Sequence, residues 1–234
     1  MHDITLYQFS PAWGLPNVSP FCMKLEGYLK LGGLDYRVQV QNDPRKGPKG
    51  KVPYAKIDKH TMGDSEEIYE YLKSNNAIDL DSTLSADERA IHHAMGVMCD
   101  ESLYFALLYN RWMDDVNWPI LRDTLFAPIP KMVRKVVTHQ IRKKVQADLV
   151  GQGMGRHNKA EVYSIATRDI ESLGQYLADK PWFGGNEPVK LDVRAASYLA
   201  NILYPPLENP LKTVIEKWPN LVEFTDRAVS EIYG

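Results

Sequence analysis

The sequence predicts two domains of different class, a mixed α/β domain followed by an all-helical one. Three observations carry this. Strand and helix signals alternate as far as Leu72, strand signals then disappear after Leu84, and 234 residues suffice for two modest cores. Asn75 to Thr83 is rich in turn and acidic residues and poor in apolar ones, so the expected division is residues 1–75, a linker at 76–84, and residues 85–234.

The elements of the front domain follow in order. Ile4 to Phe9 is short, β-branched and aromatic and stops at Ser10-Pro11, which makes it a strand. A loop punctuated by Gly14 and Pro16 leads to Ser19-Pro20, a preferred N-cap followed by a proline whose missing N–H costs a first helical turn nothing. Phe21, Cys22, Leu25, Tyr28 and Leu29 give that helix one apolar face, and Gly32-Gly33 ends it. Tyr36 to Val40 is a second strand. Asn42 to Lys51, basic and Pro/Gly-rich, is a loop or a ragged helix. Pro53 to Ile57 is extended, Asp58-Lys59-His60 is a hairpin turn, and Thr61-Met62 returns. Asp64-Ser65 then caps a helix with Ile68, Tyr69 and Leu72 on its inner face. The back domain is expected to hold helices over Ser85–Met113, Pro119–Leu149, Ala160–Ala178, Leu191–Leu203 and Asn220–Ile232.

Composition removes several function classes. Apolar residues make up 44% and charged residues 25%, an ordinary globular balance, and a net charge of −2 gives no general attraction to nucleic acid. Two cysteines, Cys22 and Cys99, are too few for a disulfide-stapled domain. His2 and Asp3 run straight into the first strand without a leader-like pattern, and no apolar run approaches the roughly 20 residues of a membrane span. The expectation is a soluble cytoplasmic protein. His60, His92, His93, His139 and His157 lack metal-ligand spacing, so no metal is expected. The basic run Lys131 to Lys144, with Met132, Val133, Val136, Val137 and Ile141 at helical spacing, reads as a solvated helix face, with membrane-surface or anionic-partner binding as the alternative. Gly151 to Gly155 follows no strand, so it is a loop between helices rather than a nucleotide-binding turn.

The stretch Ser19-Pro20-Phe21-Cys22 is chemically suggestive. Ser19 is at least an N-cap, and the same geometry favours an anion. A helix start offers free N–H groups and partial positive charge, a thiol placed there ionises more easily, and the Ser19 hydroxyl can donate to the sulfur. Cys22, one turn deeper on the apolar face, is expected to be buried and inert.

The ordered set Ser19-Pro20-Phe21-Cys22, Gly50-Lys51-Val52-Pro53 and Asp64-Ser65 resembles the thioredoxin-like half of glutathione transferases. Trp182-Phe183-Gly184-Gly185 leading to Asp192, and Trp218-Pro219-Asn220-Leu221, resemble their helical half. Pro11 to Asn17 and Gly151 to His157 are similar to the metaxin-like, failed-axon-connections-like branch. The resemblance implies a thioredoxin-like N-terminal domain plus an all-α C-terminal domain, a homodimer, and glutathione as co-substrate, with its thiolate passed to a small hydrophobic electrophile. It implies a cis bond before Pro53, with Val52 pairing its backbone to the cysteinyl unit. Lys51 would meet a ligand carboxylate, while Asp64 and Ser65 would take the γ-glutamyl group. Trp13, Tyr104, Tyr109, Trp112 and Trp118 are candidates for an apolar acceptor pocket or for plain core. Two other readings stay open: a thiol-disulfide enzyme using Cys22, and a non-enzymatic adaptor. Family members usually carry Ser or Thr three residues before the helix aspartate; Val189 stands there instead, so the cap beside Asp192 is expected to be weaker or built differently.

Overall fold

The computed structural model describes residues 2–234. The front domain is a four-stranded sheet in the order β2-β1-β3-β4, built from β1 (Ile4–Gln8), β2 (Arg37–Val40), β3 (Tyr54–Ile57) and β4 (His60–Gly63). β2 runs parallel to β1 with Thr5 opposite Arg37, while β3 is antiparallel to both β1 and β4. Period-two alternation buries Ile4, Leu6 and Gln8 of β1. The edge strand β2 is exposed throughout. Helices α1 (Pro20–Leu31) and α2 (Ser65–Ser74) pack against each other, and α2 also packs on β3 and β4. The basic segment between β2 and β3 contains only a short 3₁₀ turn, Pro44–Lys46, capped by Asp43.

The back domain holds α3 (Ala86–Val97), α4 (Tyr104–Trp112), α5 (Trp118–Leu125), α6 (Lys131–Gln152), α7 (Lys159–Leu177), α8 (Lys190–Leu203), α9 (Pro210–Glu216) and α10 (Pro219–Tyr233). Every residue of α8 from Leu191 to Ile202 is buried, so α8 is the central rod against which α1, α3, α9 and α10 lean. One apolar core runs through both halves, from Leu6 and Ile57 of the sheet to Val193, Leu199 and Phe224 of the helices. Among the described residues no helix is long and apolar enough to cross a membrane.

Four expectations are corrected. The helix expected over Pro119–Leu149 is two helices, because Pro128 and Pro130 break the backbone ladder between Leu125 and Lys131. The stretch Ser85–Met113 is continuous but widens into a π-helical turn over Met98–Leu103. The helix α9 was not anticipated, although Asn209-Pro210 is a legible start: the Asn209 side chain accepts from Leu211 N at 3.0 Å. Gly151 is the penultimate residue of α6 rather than the start of a loop, and the helix stops at Gly153, whose φ is +121°.

Candidate functional site at the carboxyl end of β1

The strand register brings the three front motifs to one end of the sheet. Tyr7 lies opposite Tyr54, and Tyr54 opposite Gly63. The exit of β1, the entry of β3 and the exit of β4 therefore share one edge. The loop leading to Ser19 leaves from the first, Val52-Pro53 enters at the second, and Asp64-Ser65 follows the third.

Ser19 is half-buried with extended dihedrals, and its Oγ accepts from Cys22 N at 3.4 Å. The capping expectation holds. Because the hydroxyl accepts in the cap, its own proton is left to donate. The Ser19 N–H donates to Asn17 Oδ1 at 3.0 Å, so a side chain two residues upstream fixes the approach to the cap.

Cys22 is fully buried among Val52, Tyr54, Tyr7 and Phe9. Burial pushes its thiol up to about 12, against the Phe9 backbone and the Ser19 hydroxyl, which favour the anion. A protonated, enclosed thiol is neither a nucleophile nor a disulfide partner, so the geometry counts against the Cys22 reading.

Val52-Pro53 is cis, as the resemblance implies. The Val52 side chain is buried against Cys22, and no hydrogen bond from its N–H or C=O is seen within the described residues. Asp64 is exposed and adopts φ +85°, a region that favours glycine. Its Oδ1 accepts from Glu66 N at 2.9 Å and Glu67 N at 3.4 Å, capping α2. Ser65 beside it is buried. Lys51 is exposed and makes no ion pair among the described residues; Lys49 approaches Asp64, at 3.8 Å. Sequence reasoning had singled out Lys51 and missed Lys49, because alternation along an irregular loop does not say which lysine turns back to the sheet.

The aromatic candidates divide. Tyr104 sits edge-on to Phe21 at 4.7 Å, and Trp13 reaches Thr124 of α5 through Nε1 at 3.2 Å. Both border the Ser19 loop. Tyr109 instead faces Lys159 and Tyr163 of α7, and Trp112 and Trp118 form a separate cluster with Phe126 and Arg142. A shallow cleft lined by Pro11, Leu15, Pro16, Val229 and Tyr233 shares no residue with the three motifs.

A group of charges that sequence reasoning missed lies between the two domains. Lys24, barely exposed, donates to Asp100 at 2.7 Å, and Asp100 also accepts from Tyr198 at 2.8 Å. Glu66, next to Ser65, pairs with Arg194 and Lys190. Burial works to raise the Glu66 carboxyl, but Arg194, Lys190 and Lys24 hold it below its ordinary value. These pairs tie α1, α2 and the π-helical turn to α8. No group of three or more His, Cys, Asp or Glu among the described residues is placed to share a metal ion.

A thioredoxin-like sheet domain carrying these motifs, fused to a helical domain around one central rod, defines the two-domain glutathione transferase fold. Comparison with known proteins agrees. Residues 20–117 match the model of the glutathione S-transferase N-terminal domain, and residues 166–228 that of the glutathione S-transferase C-terminal domain. The chain is 31% identical over 232 residues to isoprene-epoxide–glutathione S-transferase of Rhodococcus sp. (strain AD45), covering 96% of this chain and 97% of that protein. It is 30% identical to Failed axon connections of Drosophila melanogaster, covering 96% of this chain and 56% of that one, and 29% identical to a metaxin-1 homolog of Caenorhabditis briggsae, covering 94% and 71%. A glutathione S-transferase from Methylobacterium radiotolerans, solved with glutathione sulfonate, superposes with a TM-score of 0.66 at 14% identity over 98% of this chain and 91% of that one. The chain belongs to the glutathione S-transferase family, in the branch that also holds the metaxins and Failed axon connections.

Proposed function

We propose that this protein is a glutathione transferase that ionises the glutathione thiol beside Ser19 and delivers it to a small apolar electrophile. The observation that carries the reading is the shared sheet edge, where the starts of α1 and α2 flank the cis Val52-Pro53. Val52 would pair the cysteinyl backbone in the manner of an added strand. Asp64 would meet the γ-glutamyl ammonium and Ser65 its carboxylate, with Lys49 and Lys51 flanking. With an epoxide, the class named for the Rhodococcus relative, the sulfur forms a bond to a ring carbon. The C–O bond then breaks with its electron pair going to oxygen, which takes a proton from water. The chain's contribution is thiolate stabilisation and positioning. A cytoplasmic homodimer acting in detoxification is part of the same reading and rests on the resemblance.

Ser19→Ala is expected to lower kcat/KM for glutathione and a small epoxide by about 100-fold, the scale for losing one donor to a developing anion. Cys22→Ala is expected to leave the rate unchanged. Steady-state kinetics on both variants decides: equal rates for Ser19→Ala and the unaltered protein remove the role of Ser19, and a collapse in Cys22→Ala restores the buried thiol as a candidate.

One observation favours a second reading, a membrane-associated adaptor. On α6, Met132 is 93% exposed and Val136 65%, beside Lys131, Lys135 and Lys143, so this helix carries apolar side chains in water within a basic surface. Retention on glutathione resin together with no sedimentation with anionic liposomes counts against it.

A further inference from the structure

The Ser19 loop is held from behind by the helical domain, through a buried cation that has no counter-ion. Arg111 of α4 is 6% exposed and forms no ion pair with any carboxylate among the described residues. Its Nη1 donates to Val18 O at 2.6 Å. Its Nη2 donates to the Asn201 backbone O at 2.7 Å and to Asn201 Oδ1 at 2.8 Å. Its Nε is buried without an acceptor. The guanidinium lies 5.5 Å from the Trp13 ring, whose residue adopts φ +56°. Asn201 of α8 continues the network, with Nδ2 donating to Asn17 O at 3.3 Å. Asn17 in turn accepts from Ser19 N at 3.0 Å and donates to Phe9 O at 2.7 Å. The carbonyls of Asn17 and Val18 and the amide of Ser19 are thus all spoken for by buried side chains.

Two features go beyond loop anchoring. Neutral amides could satisfy the same carbonyls, whereas a guanidinium enclosed without a carboxylate is costly to bury. Burial draws Arg111 down to about 10, still charged at neutral pH. The titratable group acting on it is Tyr104 of its own helix; Tyr104 also feels Asp148 of α6 and Cys22 of α1, and burial raises its hydroxyl to about 12, so it stays neutral. The surplus charge therefore sits one residue from Ser19, on the side where α1 begins. Positive charge there adds to the free N–H groups and dipole of that helix start.

We propose that Arg111 is a positioning residue for the thiol chemistry: together with Asn201 it fixes the Asn17–Ser19 segment, and its unpaired charge favours the ionised sulfur beside Ser19. This rests on the glutathione transferase reading above. It names a residue outside the three ligand-facing motifs, and it makes thiol activation depend on the helical domain.

The test uses the full chain with glutathione as probe, following thiolate absorbance of the bound tripeptide against pH, with kcat and KM measured in parallel and folding checked by circular dichroism. Arg111→Gln keeps donors and drops the charge. It is expected to raise the pKa of the bound thiol by about 1, the lower end of the effect of one nearby opposite charge, and to lower kcat at neutral pH about tenfold with KM for glutathione little changed. Arg111→Lys is expected to restore most of the low thiol pKa. A folded Arg111→Gln protein with the thiol pKa of the unaltered chain overturns the proposal. If Arg111→Gln does not fold, Arg111→Lys decides: a preserved thiol pKa supports the role of charge, and a rise as large as about 1 overturns it. Failure of the unaltered protein to take up glutathione defeats the underlying transferase reading instead, which keeps the two failures apart.

Discussion

Asp100→Ala is expected to lower the unfolding free energy by about 3–5 kcal/mol, the cost of breaking a buried ion pair from one side. The reason lies with its partner. Lys24 is 1% exposed on its side chain, and its close contact is Asp100 at 2.7 Å; Glu66 is farther, at 3.9 Å. Burial already lowers the Lys24 ammonium, and Asp100 is the largest influence opposing it. Without Asp100 the lysine must either remain charged in a nearly dry site or release its proton, and Tyr198 loses the acceptor of its hydroxyl. The pair is no stabiliser relative to apolar residues of the same volume, so the double variant Lys24→Met, Asp100→Leu is expected to recover most of the loss. Urea unfolding of the two single variants and the double variant measures the coupling. A loss below about 1 kcal/mol in Asp100→Ala, the range of solvated pairs, would mean that water reaches this cluster and that it does not fasten the two domains.

The location of that cluster explains what was legible from sequence. Ser19-Pro20, Val52-Pro53 and Asp64-Ser65 announce themselves because caps and X-Pro bonds are local: the residue types and their neighbours state the backbone conformation. Their convergence followed from the strand order, which a βαβ unit followed by a hairpin largely dictates. The helices of the back domain were legible where one apolar face recurs, as in α7 and α10. The break at Pro128 and Pro130 was an equally local signal, concealed by reading the apolar period across it; the start of α9 at Asn209-Pro210 was local too, but the 7 residues that follow it span only two turns and show little period.

The remainder is long-range. Arg111 meets Val18 across 93 residues and Asn201 across 90. Arg194 meets Glu66 across 128. No spacing rule connects such positions, and in sequence each looks like a solvated helix charge. The π-helical turn at Met98–Leu103 contains no Gly or Pro to mark it, yet it is the segment that carries Asp100 to Lys24 and Tyr198. Charge burial is set by what packs over the residue, and here that is the other domain.

Asp192 shows the same dependence in a single side chain and gives the second large effect. With Val189 at the N-cap of α8, no side-chain oxygen caps that helix from its start; the aspartate alone closes the turn. It is fully buried and accepts from Phe183 N at 2.6 Å, Val189 N at 2.8 Å and Gly184 N at 3.3 Å. Asp192→Ala strands those buried donors and is expected to cost about 2–4 kcal/mol. Burial raises the carboxyl to about 7, although the three amides favour the anion. The native state therefore holds this proton more tightly than the unfolded chain, whose ordinary value is 3.8. The stability contributed by that proton is fully present below pH about 4 and is lost as pH rises through about 7, up to about 4 kcal/mol in all. Asp192→Asn removes the titration while keeping one acceptor. The unaltered protein should therefore lose unfolding free energy relative to Asp192→Asn between pH 4 and 7. Denaturant unfolding of both proteins across that window reads the difference. A gain with rising pH relative to Asp192→Asn would show that the three amides outweigh burial, and that the rod at the centre of the fold is capped by an anion.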